Sequence, residues 1–167
     1  MLQTILTRRS IRQFKDMPLS QQQIDSLLKA AFAAPSARNL QPWEFIVVTN
    51  PRKLCEMSDL APGAKPMKQA ALGIVVCANL DKNEALEYCE QDCAAATQNI
   101  LLTAHALGLG GVWLGMHPTP GRAQRLKVIF RLPENIHPLW MIAIGYPNEE
   151  GQVKDKFNPE VIHYDQW

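Results

Sequence analysis

Three stretches of this chain carry side chains able to grip a small charged or aromatic molecule. The first is Arg8-Arg9-Ser10-Ile11-Arg12. Guanidinium forks beside a hydroxyl suit a phosphate, because hydrogen bonds to ionised groups are shorter and stronger than neutral ones. A solvated basic turn would use the same residues. The second stretch is the loop Ala34-Pro35-Ser36-Ala37-Arg38-Asn39-Leu40-Gln41-Pro42-Trp43. Asn39 and Gln41 each carry a donor and an acceptor, so they can read the edge of a heterocycle that presents both, or they can satisfy their own loop backbone. The third is Gly108-Leu109-Gly110-Gly111-Val112-Trp113-Leu114-Gly115. Its glycines would let bare backbone approach a flat ring beside Trp113 and Leu114, and a tight strand with a core tryptophan would use them as well. The spacing is not G-x-G-x-x-G, which excludes a dinucleotide-binding Rossmann turn.

The remaining reactive side chains form no recognisable constellation. Cys55, Cys77, Cys89 and Cys93 contain no C-x-x-C and read as reduced thiols in a cytoplasm. Cys89 and Cys93 share a helix face, so a metal site stands as the alternative to two small core residues. His105, His117, His137 and His163 are scattered, with no cysteine or carboxylate at ligand spacing, and no metal is expected. Seventeen basic residues against sixteen acidic leave a net charge of +1, so no global field favours nucleic acid or an anionic membrane. Met1 to Phe14 lacks the apolar stretch of a secretory signal. The longest apolar run, Ala70 to Ala78, is far short of the roughly 20 residues that a membrane-spanning helix needs.

Ser20 to Ala33 has the marks of a helix: Ser20 as cap with Gln23 three residues on, then Ile24, Leu27, Leu28, Ala31 and Phe32 along one face. Pro35 stops it, and Phe45 to Val48 suits a buried strand. Asn50 and Pro51 open a helix to about Leu60, after which Pro62, Gly63 and Pro66 break the chain. Leu72 to Ala78 is a second strand, Glu84 to Leu107 a long helix closed by Gly108, and Gly110 to Leu114 a third strand. Thr119-Pro120 begins a helix to Phe130, and Leu139 to Ile144 is a fourth strand. Strands alternating with helices argue for α/β or α+β layering, with 167 residues forming a single domain. Ala94, Ala95 and Ala96 permit another helix to approach closely. The tail of about residues 148–167 carries Phe157, Val161, Ile162, Tyr164 and Trp167 without a period, and it needs a surface, either its own subunit's or a second copy's.

Taken together and in order, these segments resemble the nitroreductase family of FMN-dependent oxidoreductases. The match runs over nearly the whole chain: R-R-S-I-R-x-F at the start, A-P-S-x-x-N-x-Q-P-W before a strand, and G-L-G-x-x-W-L-G after a long helix. L-P-x-x-x-x-P follows at Leu132 to Pro138, I-G-Y-P at Ile144 to Pro147, and H-Y-D-x-W at His163 to Trp167.

The resemblance implies an α+β fold with a central, mainly antiparallel sheet packed with helices, assembled as an intertwined homodimer with two FMN sites at the subunit interface. Arg8, Arg9 and Ser10 would hold the phosphate and ribityl end, with Arg12 toward the pyrimidine side of the ring. Pro35, Ser36, Ala37 and Asn39 would reach the flavin bound mainly by the other subunit. Trp113, Leu114 and Gly115 would line the ring. Lys156, before Phe157, stands where the family often has an arginine, with Lys154 nearby; lysine brings the charge without the fork. A polar contact that many members take from between the first two main strands has no clear counterpart among Lys65, Lys68 and Gln69.

The activity so implied is ping-pong hydride transfer from NADH or NADPH to a small-molecule electron acceptor such as a nitroaromatic, a quinone or a flavin, with the flavin carrying the chemistry and no catalytic side chain required. The alternatives are a flavin reductase that supplies free reduced flavin, and a flavin-binding or storage protein without useful turnover. The short Asn79 to Glu84 connection leaves little chain for a lid, which implies an open site.

Overall fold

A computed structural model describes residues 1–167. A six-residue helix, α1 (Leu2–Thr7), precedes the basic stretch. Helix α2 (Gln21–Phe32) begins with the anticipated reciprocal cap: Ser20 Oγ accepts from Gln23 N–H while the Gln23 side chain accepts from Ser20 N–H. Strand β1 (Trp43–Val48) follows, then α3 (Pro51–Ser58), whose Asn50 cap accepts from the N–H groups of Arg52 and Lys53. The proline-interrupted segment Pro62–Gln69 winds as 3-10 turns instead of breaking into loop.

Strand β2 (Leu72–Asn79) leads to the long helix α4 (Leu86–Ala106). Gly108, at φ 74°, provides the left-handed turn out of it. Strand β3 (Gly110–Gly115) is followed by α5 (Arg122–Phe130) and β4 (Ile136–Gly145). Helix α5 starts later than Thr119-Pro120 suggests, because Thr119 N–H turns back to Met116 carbonyl and Gly121, at φ 78°, supplies the entry.

The four strands form one sheet in the order β1-β2-β4-β3, and every neighbouring pair is antiparallel. That places the fold in the α+β class and excludes the parallel layering that alternating elements also allowed. Strand β4 starts at Ile136, earlier than its apolar run, because its pairing with β2 steps from Val76–Trp140 to Cys77–Pro138 across a bulge. A bulge is one of the few places where a sheet accepts proline.

Both faces of the sheet are covered. Ile74, Val76, Ile142 and Ile144 meet α2 and α4 on one side. Val75, Cys77, Met141 and Ala143 meet α3, the 3-10 segment and α5 on the other. This two-sided burial explains the unbroken apolar character of β2 and β4. No helix is long and apolar enough to cross a membrane.

Candidate functional site

Strand β3 lies at a sheet edge, and the basic stretch is hung on it. Ser10 bridges Gly111 in parallel register, and Ile11 N–H donates to Gly111 carbonyl at 3.1 Å. Ile11 is buried over Gly110, where a Cβ would lie 2.7 Å from Ile11 Cβ, so the approach depends on glycine. Sequence positions a hundred residues apart thereby become neighbours: the Arg8 to Ser10 grip starts at the head of the glycine-flanked strand.

Beside this joint opens a cavity of about 690 Å³, walled by Arg8, Arg9 and Ser10 on one side and by residues 152–157, including Lys154 and Lys156, on the other. The Nε atoms of Arg8 and Arg9 are buried without a partner. Arg9 Nη1 donates to Thr7 carbonyl at 3.2 Å, and Gly151 packs against the Arg9 side chain so closely that a Cβ there would lie 2.4 Å from Arg9 Cδ. Two guanidinium groups, a hydroxyl and two ammonium groups around one cavity fit a phosphate and would repel a cation. His105 on α4 stands next to them, its Nε2 2.8 Å from Thr7 Oγ1. Burial, and then the charges of Arg9 and Arg8, hold its pKa below the usual histidine range.

Arg12 does not line this cavity. It is exposed, and its backbone N–H is bound by Glu149 Oε1, which also accepts from Gln13 N–H at 3.2 Å. Glu149 thus fixes the direction of the chain leaving the basic stretch. Nothing in its sequence neighbourhood marks it, because the contact spans the whole fold.

The Pro35 to Asn39 loop does not line the cavity either. Pro35 and Asn39 are exposed, with Ser36 and Ala37 half-buried. Part of its polar capacity goes to itself: Ser36 Oγ accepts from Gln41 N–H at 3.0 Å, and Asn39 Oδ1 from Gln41 Nε2 at 3.2 Å. The loop is tied to α4 through Asp92, whose Oδ1 accepts from Ala37 N–H at 2.9 Å. Asp92 is a second residue that the sequence reading missed, since it sits within an otherwise apolar helix face.

On β3, Trp113 is half-buried and rests against Trp140 with ring centroids 4.6 Å apart. Leu114 points to the opposite face and is buried in the core. Its backbone, not its side chain, is what that position can offer a ligand. Gly115 is exposed, and a Cβ there would meet nothing within 4 Å. The end of β3 is therefore a bare stretch of backbone flanked by an indole.

Two residues further on, His117 joins a chain of titratable groups that the sequence spacing concealed. Its Nε2 lies 2.6 Å from Glu90 Oε1, and its Nδ1 lies 3.1 Å from His137 Nε2. The three come from α4, the turn after β3 and the start of β4, so the β3–β4 pairing and the packing of α4 against the sheet together unite them. Burial pushes the His137 pKa down, with His117 and Lys127 adding to the effect. Cys89 and Cys93 occupy the core, where Sγ of Cys89 lies 3.2 Å from Asn83 carbonyl and Sγ of Cys93 3.7 Å from Cys77 carbonyl. Burial raises both thiol pKa values, which disfavours thiolate chemistry. Lys65 is paired with Asp59 at 2.9 Å.

An antiparallel sheet wrapped by helices, with a basic cavity at its edge and open backbone beside it, matches known proteins over its whole extent. The model of the Nitroreductase family matches residues 5–86 and 62–146. A relative in Methanothermobacter thermautotrophicus, provisionally named NADH dehydrogenase/NAD(P)H nitroreductase, is 40% identical over 166 residues, covering 99% of this chain and 87% of its own. The FMN-dependent nitroreductase of Clostridium difficile R20291 has the same fold with a TM-score of 0.93 at 31% identity, covering 100% of both chains. The NADPH:FMN oxidoreductase of Vibrio harveyi, solved in complex with NAD+, gives a TM-score of 0.88 at 28% identity, covering 99% of this chain and 77% of its own. The chain belongs to the nitroreductase family and is an oxidoreductase.

Proposed function

We propose that this chain binds FMN as a homodimer and passes electrons from NADH or NADPH to small electron-poor acceptors: nitroaromatics, quinones or flavins. The observation that carries the reading is the convergence of Arg8, Arg9 and Ser10 with Lys154 and Lys156 on the walls of one cavity. A terminal phosphate is the small anion that guanidinium and ammonium groups so gathered would bind, through charge-assisted hydrogen bonds. FMN, when bound, supplies the hydride-accepting and hydride-donating chemistry. The chain's part is to hold the phosphate with Arg8, Arg9, Ser10 and Lys156, to present the backbone of Trp113 to Gly115 to the ring, and to leave the opposite side accessible.

Arg12 supplies positive charge outside the phosphate cavity, consistent with service at the pyrimidine end. Pro35, Ser36, Ala37 and Asn39 complete the flavin site of a second copy. Assembly is supported by the apolar surface that a single chain leaves bare: Leu2, Ile5 and Leu6 on α1, and a tail in which Phe157 is 76% and Trp167 100% exposed. In this reading residues 1–167 form one domain whose tail packs on the partner, and four free thiols suit a reducing cytoplasm.

Purified protein is expected to be yellow and to release FMN, not FAD, on denaturation, as chromatography of the released flavin would reveal. NAD(P)H oxidation accelerated by a quinone or nitroarene, with parallel double-reciprocal lines, supports turnover at one shared site. Preferential reduction of free FMN would assign a flavin reductase, and tight flavin with negligible turnover a storage protein.

A further inference from the structure

We infer that Asp92 is a positioning residue that holds the Ser36–Asn39 loop in the shape in which it meets FMN, an inference that rests on the flavin reading above. Asp92 is 6% exposed, in the middle of α4. Buried carboxylates are rare unless every oxygen is bound, because their charge is stripped of water. Here Oδ1 accepts the Ala37 N–H, and Oδ2 has no partner in the chain. Packing alone gives no reason for an acid at this position.

What Asp92 holds is a conformation the loop would not keep unaided. Arg38, Asn39 and Gln41 all have positive φ, at 54°, 57° and 50°, a region that L-residues with side chains populate sparsely. The helix anchors this segment twice from one face. Two turns after Asp92, Asn99 Nδ2 donates to Ala30 carbonyl at 3.0 Å, so the stretch from Ala30 to Ala37 is pinned at an acceptor and a donor by residues seven apart on α4. Pro35, between the two pins, has no N–H to contribute. The loop's own bonds, Ser36 to Gln41 and Asn39 to Gln41, tie its far half together but do not attach it to the rest of the fold. Asp92 attaches the loop's near half, while Lys82 Nζ, donating to Gln41 carbonyl at 3.4 Å, attaches the far end.

The bond can be cut from either end. Asp92→Ala removes the acceptor. Ala37→Pro removes the donor with little backbone cost, because Ser36 already has the extended ψ of 152° that a residue before proline requires and Ala37 opens the 3-10 turn. Asp92→Asn retains an acceptor for the same N–H.

Full-length apoproteins would be compared first by amide exchange at residues 36–41 and then by fluorescence titration with FMN. The expected result is faster loop exchange in Asp92→Ala and Ala37→Pro, about tenfold weaker FMN binding in each, and no further loss when the two are combined, since both remove one bond. In Asp92→Asn, loop exchange and affinity both return to within about threefold of wild type. Wild-type affinity in Asp92→Ala would overturn the inference, as would Asp92→Asn behaving like Asp92→Ala. So would additive losses in the double variant. Failure of the wild-type protein to bind FMN would instead refute the flavin reading, while loop exchange would still report whether Asp92 holds the loop.

Discussion

Trp140 donates its indole N–H to Thr97 Oγ1 at 2.8 Å, with both residues buried between α4 and the sheet. The same indole supports Trp113. A single hydroxyl on α4 therefore sets the platform on which the half-buried tryptophan of β3 rests. Thr97→Val keeps the shape and strands a buried N–H, so unfolding free energy should fall by about 1–3 kcal/mol. Urea denaturation followed by tryptophan emission measures the change. An unshifted midpoint would mean that the indole finds another acceptor.

Arg9 and Lys154 face the same cavity from opposite walls but in different surroundings. Arg9 has a buried Nε awaiting an acceptor, whereas Lys154 is exposed. Arg9→Ala should weaken FMN binding by roughly 1.5–3 kcal/mol and Lys154→Ala by about 0–1 kcal/mol. Titration of the two apoproteins tests the order, which a larger loss in Lys154→Ala would reverse.

Gly151 offers a gentler perturbation of that wall. A methyl group there would lie 2.4 Å from Arg9 Cδ and 2.8 Å from its Cγ, so the Arg9 side chain must shift along most of its length. Gly151→Ala should therefore reduce FMN affinity, with a stability cost of about 1 kcal/mol. At Gly110 the obstacle is Ile11 Cβ, which cannot swing aside, so Gly110→Ala should cost about 1–3 kcal/mol of stability. Thermal melts paired with flavin titration separate the two outcomes.

How far the sequence could be read depended on whether a feature was local. The Ser20–Gln23 cap, the Asn50-Pro51 start and the Gly108 stop all act within one turn of chain, and each element begins or ends beside them. The strand order was not local: alternating strands and helices are compatible with parallel or antiparallel pairing, and only packing decides. The start of β4 was hidden because Pro138 looks like a breaker until its bulge is seen. Within the site, Arg8, Arg9, Ser10, Lys154 and Lys156 share one cavity; the clustered charge of Arg8 and Arg9 made the first wall visible, and the family resemblance pointed to Lys156. Asp92, Glu149 and the Glu90–His117–His137 chain were not, since each matters only for what lies opposite it across the fold.

His137 gives stability a defined dependence on pH. Burial first, then the charges of His117 and Lys127, keep its pKa in the fold below the ordinary value of 6.5, and His105 is shifted in the same direction by burial, Arg9 and Arg8. The unfolded chain therefore takes up protons that the fold refuses, so stability is greatest above about pH 6.5 and declines as pH falls below it. The urea midpoint should be lower at about pH 5.5 than at about pH 7.5, and His137→Gln should narrow the gap. A gap that widens would contradict the assignment.

The proposed sharing of flavin sites between subunits makes a prediction of complementation. Ser36→Trp should obstruct the partner's flavin, and Arg9→Glu should repel the phosphate in its own subunit. Each variant homodimer is expected to be nearly flavin-free. In a mixed dimer both lesions fall in one site and the other stays intact, so roughly half the wild-type flavin should return, there being two sites per dimer. No recovery in a verified, folded mixed dimer would refute the shared arrangement.

The cavity beside Ser10 has walls from residues 5–10 and 152–157, drawn from the two ends of the described chain. During synthesis, the first wall leaves the ribosome long before the second has been translated. A nascent chain can thus lay down much of the sheet and both of its helical layers before the second wall of this cavity exists. On the flavin reading, truncations that stop short of residue 152 should remain colourless however much flavin the cell provides.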